Sequence, residues 1–214
     1  MSRVAVVGGG TMGNGIAQVF AQSGHEVTLV EVSPERVEAA LAKMGGSLDR
    51  LVKKGKLDEA GKSAALGRVR GVTSLSDVGR PDLAVEAVVE DFEVKKSVFQ
   101  TLESACPETT LFATNTSSIS ITELAATTKR ADRFIGMHFM NPVPVMELVE
   151  IIRGLATSDD TCRRVVEMSR QLGKTPVEVQ DYPGFISNRI LMPFINEAIY
   201  CLMEGVAVRE DIDA

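Results

Sequence analysis

The chain has 214 residues, a formal net charge of −6 and three cysteines. That length allows one large domain, or one domain with the start of a second, and buries a sizeable core without staples. The acidic balance disfavours nucleic acid and anionic membrane as partners, since both need a basic face, while Cys106, Cys162 and Cys201 lie at no paired or metal-like spacing and fit a reducing compartment.

The start, Met1-Ser2-Arg3 before an apolar run and three glycines, is too short and too glycine-rich for a signal sequence. No later apolar run approaches membrane-spanning length. The expectation is a cytoplasmic protein without a metal site. Residues 4–7 are a short apolar run ended by glycines, the pattern of a strand buried on both faces of a parallel sheet. Residues 11–22 carry Met12, Ile16, Val19 and Phe20 at helical spacing, with Ser23-Gly24 as a stop. Residues 27–30 read as the next strand. Strand, glycine turn, helix and strand thus fall within about thirty residues, the size of one right-handed crossover unit.

Ser33 and Pro34 then open a long helix over 34–54. Further strands are predicted at 69–72, 83–87, 110–114, 134–138, 146–151 and 175–179, and helices at 92–104, 121–126 and 159–172. Strands alternating with helices imply an α/β fold, a Rossmann-type doubly wound, mostly parallel sheet. The character changes at Asp181-Tyr182-Pro183-Gly184, after which only a long apolar helix over 185–203, interrupted at Pro193, is visible. A boundary there makes 1–183 a nucleotide-binding domain and 184–214 the start of an all-α C-terminal domain.

Gly8-Gly9-Gly10-Thr11-Met12-Gly13 satisfies GxGxxG between a predicted strand and a predicted helix. In that setting Gly8 permits the tight turn, Gly10 lets the backbone approach a pyrophosphate, and Gly13 allows close packing of helix on strand. The helix start supplies free N–H groups and a positive dipole end to the phosphates, here flanked by Thr11 and Met12. Glu31 stands at the end of the second strand, where a carboxylate accepts from ribose hydroxyls and repels a 2′-phosphate. The nearest arginine is Arg36. NAD is favoured over NADP.

Between residues 41 and 70 the basic side chains Lys43, Arg50, Lys53, Lys54, Lys56, Lys62, Arg68 and Arg70 outweigh Asp49, Asp58 and Glu59. A locally basic segment in an acidic protein suits a polyphosphorylated ligand, although a solvated helix face reads the same way. Of the two histidines, His25 lies in a turn, where a solvated structural role is expected. His138 lies at the carboxyl end of a predicted strand, where open α/β sheets place their ligands. Its residue type suits a base working near neutral pH.

Five segments together resemble the 3-hydroxyacyl-CoA dehydrogenase family over the whole chain. They are GGGTMGNGIA at 8–17, VEAVVEDFEVKK at 85–96, TNTSSISIT at 114–122, GMHFMNPVPVMELVEII at 136–152 and DYPGFISNRIL at 181–191. The resemblance implies an (S)-3-hydroxyacyl-CoA substrate oxidised to 3-oxoacyl-CoA with hydride passing to NAD. It implies His138 as the base, Glu150 as the carboxylate that orients it, Ser117 as a hydrogen bond to the reacting oxygen, and Asn188 at the substrate carbonyl. It further implies Glu90, Lys95, Asn115 and Asn141 as cofactor contacts, and Ser47 and Lys54 as contacts to CoA.

The family also continues with more helices that complete the second domain, cover the acyl pocket and form most of a homodimer contact. Leu191, Ile195, Ile199 and Leu202 are therefore expected to lack partners in these residues. Two alternatives stay open on sequence alone: a dinucleotide-binding module without turnover, and a related dehydrogenase acting on a free hydroxy acid.

Overall fold

In the computed structural model, which describes residues 1–214, β1 (Arg3–Val7) sends alternate residues to opposite sides of a central sheet. Val4 and Val6 enter one apolar cluster of 27 buried residues, and Ala5 and Val7 enter another of 16. A strand buried on both faces has no room for polar alternation, which is why this segment is a continuous apolar run.

The remaining elements follow in chain order as α1 (Thr11–Gln22), β2 (Glu26–Val30), α2 (Pro34–Lys53), α3 (Glu59–Gly67), β3 (Val69–Val72), β4 (Leu83–Glu86) and α4 (Phe92–Ala105). They continue as β5 (Leu111–Thr114), α5 (Ile121–Ala126), β6 (Phe134–Phe139), β7 (Leu148–Arg153), α6 (Asp159–Gln171), β8 (Thr175–Gln180), α7 (Ser187–Met203) and α8 (Arg209–Ile212). The sheet order is β3-β2-β1-β4-β5-β6-β7-β8. β1 to β6 pair in parallel, β7 is antiparallel to β6, and β8 is parallel to β7. The fold is the expected Rossmann-type doubly wound sheet. Its order reverses between β1 and β4, and the crevice at the carboxyl ends of those strands is where such sheets take ligands.

One face of the sheet is covered by α1, α2 and α6, whose Phe20, Met44 and Val165 are fully buried in the larger cluster. The other is covered by α4 and α5 through Phe99, Leu102 and Leu124. Each such side chain contributes roughly 1.5–3 kcal/mol by leaving water.

Four local expectations change. The short helix α3 was not anticipated, because its apolar residues are mostly alanines and only Ala65 is buried; its start is fixed by Asp58, whose carboxylate accepts from Gly61 N at 2.7 Å. β7 begins two residues later than predicted, since Val145 N and Met146 N both bond Pro142 O and hold that stretch in a turn. α7 runs unbroken through Pro193, which removes one donor while the rest of the ladder continues; it starts at Ser187, after Gly184 and Phe185 at φ +79° and +51°.

His25, expected to be solvated, is buried. Its Nδ1 accepts from Ser2 N, and its ring meets Phe20 edge-on at 5.5 Å. Burial and the nearby amino terminus lower its pKa, so it packs as a neutral ring.

Candidate active site

The glycine turn closes as its steric demands dictate. A Cβ on Gly8, at φ +95°, would stand 2.7 Å from Ala87 O, and one on Gly13 would stand 1.8 Å from Gly8 O. Only glycine fits at either place. Gly10 differs, because a Cβ there would meet nothing within 4 Å. It opens on a cleft of about 1020 Å³ lined by Thr11, Met12, Glu31, Glu90, Asn115 and Ser117 among others. Helix α1 begins there with no side-chain cap. Its first N–H groups are left for an anion, as a pyrophosphate requires.

Glu31, at the end of β2, accepts from Gly9 N at 2.8 Å and from Val32 N at 3.0 Å. Its carboxylate is thus held at the rim where ribose hydroxyls would reach it. Arg36 lines the same cleft. Two further contacts complete the turn: Lys43 Nζ, read from sequence only as part of the basic segment, donates to the Thr11 hydroxyl at 3.2 Å, and buried Asn14, not singled out beforehand, donates to Ala40 O at 2.6 Å, tying α1 to α2. The resident groups therefore fit NAD.

The second half of the site lies at the carboxyl end of β6. His138 and Glu150 are register partners across the antiparallel β6–β7 pair, and His138 Nδ1 is 2.7 Å from Glu150 Oε2. Both residues are buried. A carboxylate only accepts, so Nδ1 carries the proton and Nε2 is left as the free lone pair. That nitrogen is 3.1 Å from Ser117 Oγ.

The other oxygen of Glu150 accepts from Ile186 N at 3.0 Å and Ser187 N at 2.8 Å, at the start of α7. Burial by itself would raise this carboxyl, but the His138 bond and the two backbone donors overcome it and hold the pKa below its ordinary value. One buried carboxylate therefore orients the histidine and anchors the helix that carries Asn188. Asn188 Nδ2 lies 3.4 Å from Ser117 O.

The other residues singled out from sequence fall into three places. Asn115 lines the cleft, and its Oδ1 accepts from Phe139 N at 2.9 Å, which locks the end of β5 to β6. Asn141 is exposed in the turn between β6 and β7. Glu90 lines the cleft, and its Oε1 accepts from Ser117 N at 2.9 Å, Ser118 N at 3.2 Å and the Thr116 hydroxyl.

Lys95, expected to touch the cofactor, is only 1% exposed and does not line the cleft. Burial of its ammonium is sustained by the fully buried Glu86 at 2.7 Å and by Glu90 at 3.3 Å. Glu86 was missed because its partners come from three different elements and leave no local pattern. Ser47, half-buried on α2, and exposed Lys54, seven residues on at its C-cap, lie outside the cleft. Within the basic segment Lys62 is paired with Asp49 at 2.5 Å, whereas no ion pair engages Arg50, Lys53, Lys54 or Lys56.

A nucleotide cleft at the reversal of a doubly wound sheet, beside a carboxylate-oriented histidine, defines the class of NAD-linked dehydrogenases. Residues 3–182 match the family model of the 3-hydroxyacyl-CoA dehydrogenase NAD-binding domain, and residues 184–214 match that of its C-terminal domain. A probable 3-hydroxybutyryl-CoA dehydrogenase of Bacillus subtilis is 48% identical over 213 residues, covering 100% of this chain and 74% of that protein. A 3-hydroxybutyryl-CoA dehydrogenase of Clostridioides difficile is 49% identical, covering 99% and 75%. The crystal structure of (S)-3-hydroxybutyryl-CoA dehydrogenase from Ralstonia eutropha superposes with a TM-score of 0.96 at 52% identity, covering 99% of this chain and 75% of that one. The chain belongs to the 3-hydroxyacyl-CoA dehydrogenase family, and its first domain binds NAD.

Proposed function

We propose that the chain carries the NAD-dependent oxidation of (S)-3-hydroxyacyl-CoA to 3-oxoacyl-CoA, or the reverse, with 3-hydroxybutyryl-CoA as substrate. The observation that carries this reading is the row Ser117, His138 and Glu150, with its contacts of 3.1 and 2.7 Å, at the edge of the nucleotide cleft. His138 Nε2 takes the hydroxyl proton as the C3–H bond breaks, and the carbonyl forms. NAD, when bound, supplies the acceptor for the hydride leaving C3. Glu150 keeps the ring in the tautomer whose Nε2 is free and offsets the imidazolium charge that follows.

The Ser117 hydroxyl donates to the reacting oxygen, which carries negative charge when the ketone is reduced. Asn188 serves the thioester carbonyl, and Glu90, Asn115 and Asn141 line the nicotinamide end of the site. Ser47 and Lys54, two turns apart on one side of α2, take the phosphates of CoA; the unpaired cations around Lys54 support that reading.

We read residues 1–183 as the NAD-binding domain and 184–214 as the start of the helical domain. Leu191, Ile195, Ile199 and Leu202 are 44–52% exposed on α7, which supports burial of this face by further helices and a second copy in a homodimer. No helix is long and apolar enough to cross a membrane. The two buried free thiols and the bacterial relatives favour the cytoplasm.

The test compares NADH formation from 3-hydroxybutyryl-CoA with that from free 3-hydroxybutyrate. A preference for the CoA ester that shrinks in Lys54→Ala supports the reading. Equal use of both, unaffected by Lys54→Ala, leaves the basic segment without a role and refutes it.

A further inference from the structure

Glu86 ends β4 at zero exposure, and both of its carboxylate oxygens accept hydrogen bonds from the protein. Oε1 accepts from Lys95 Nζ and Val88 N, each at 2.7 Å, and Oε2 accepts from the Thr114 hydroxyl at 2.7 Å. The Lys95 ammonium reaches past this carboxylate to Glu90 Oε2 at 3.3 Å. Glu90 is different in character, with a side chain 40% exposed at the cleft. Left alone, such a carboxylate rotates freely into water. With one oxygen drawn to a buried cation, the other is turned toward the 116–118 loop.

That loop depends on it. Four donors converge on Glu90 Oε1, from the Thr116 hydroxyl, Ser117 N, Ser118 N and Ser118 Oγ. Ser117 and Ser118 are exposed and supply no apolar anchor of their own. The Thr116 hydroxyl in turn accepts from Ile119 N at 3.0 Å, and the main chain just before the loop is tied to β4 by Asn115 N on Glu86 O at 2.8 Å. The segment so held presents Ser117 Oγ to His138 Nε2 at 3.1 Å.

We propose that Lys95 and Glu86 are positioning residues for the reaction: the buried pair aims Glu90, Glu90 holds the 116–118 loop, and the loop sets the Ser117 hydroxyl against His138 and the reacting oxygen. Lys95 thereby acts through Glu90. The inference rests on the role given to Ser117 above, so the experiment separates the two.

Lys95→Met, Ser117→Ala and the double variant are compared by the ¹⁵N resonance of His138 Nε2, by kcat on 3-hydroxybutyryl-CoA at saturating NAD, and by the NADH dissociation constant. Glu86→Gln/Lys95→Met, which removes both buried charges together, takes the place of Lys95→Met if the latter fails to fold. Lys95→Met is expected to move the Nε2 resonance to its position in Ser117→Ala and to lower kcat at saturating NAD about tenfold or more. The double variant is expected to lie within about twofold of Ser117→Ala, the non-additivity of groups acting in one chain. A parental Nε2 resonance in Lys95→Met, or an unchanged kcat with NADH binding weakened, overturns the proposal. Parental kcat in Ser117→Ala refutes the role of Ser117 in the reaction, and the Nε2 resonance then still decides whether Lys95 positions the loop.

Discussion

Glu150 meets His138 through one carboxylate oxygen, Oε2 at 2.7 Å from Nδ1, and spends the other on the first two backbone N–H groups of the α7 junction. Orientation of the histidine ring and attachment of the start of α7 thus share one side chain.

The consequence is a split between Glu150→Gln and Glu150→Ala. The glutamine keeps a carbonyl for Ile186 N and Ser187 N but no charge for the imidazolium, so kcat should fall while stability changes little. The alanine leaves the buried histidine without its partner and takes the acceptor from two partly buried donors, at a cost of about 2 kcal/mol. Urea unfolding beside steady-state rates checks this; equal stability of the two variants contradicts it.

Gly10 and Gly13 should also part company. Gly13→Ala drives a Cβ to 1.8 Å from Gly8 O and should destabilise the fold by about 3 kcal/mol. Gly10→Ala meets nothing within 4 Å of the protein, so stability should hold within about 1 kcal/mol while NADH binding weakens sharply. Thermal unfolding and fluorescence titration read the two effects. Full NADH affinity in Gly10→Ala contradicts the placing of the pyrophosphate.

Much of this was legible beforehand where local signals agree. An apolar run, three glycines, a helical stripe and Glu31 within residues 4–31 lie close enough in the chain to be read together. The facing of His138 and Glu150 was also within reach, because a short proline turn between two strands implies an antiparallel pair. The Glu86–Lys95–Glu90 network was not. Its members join β4, α4 and the loop after β5, and an alternating or helical pattern reports only burial, under which a buried lysine is the least expected outcome. The depth of His25 escaped for the same reason, since Ser2 and Phe20 cover it from other elements.

Acid should unfold the protein through its hydrogen-bonded carboxylates. For Glu90, Glu150 and Asp181, burial opposes ionisation, but in each case hydrogen bonds prevail and the pKa falls below the ordinary 4.5, 4.5 and 3.8. Their contribution is complete above the unfolded values and is lost as pH drops through the lower folded ones, where the unfolded chain binds protons first. Asp181 accepts from Ser120 Oγ, Ile121 N and Thr122 N. Asp181→Asn should therefore be less stable than the parent at pH 7 and nearly equal to it well below about pH 3. A difference that stays constant with pH contradicts this assignment.

Thiol chemistry should single out one cysteine. Burial pushes Cys106 up to about 11, against the pull of Arg130, and burial with the Glu178 carboxylate does the same for Cys162. Only Cys201, on α7, is not buried. A disulfide reagent at neutral pH should label a single thiol rapidly in the native protein and all three after unfolding. Rapid native labelling of Cys106 or Cys162 contradicts the packing.

The most direct test of the central claim is the turnover of 3-hydroxybutyryl-CoA by His138→Asn, with NADH binding measured on the same sample. With Nε2 as the base, kcat should fall by about a hundredfold or more, while the NADH dissociation constant stays at the parental value. Parental turnover in a variant that still binds NADH would show that another group takes the proton.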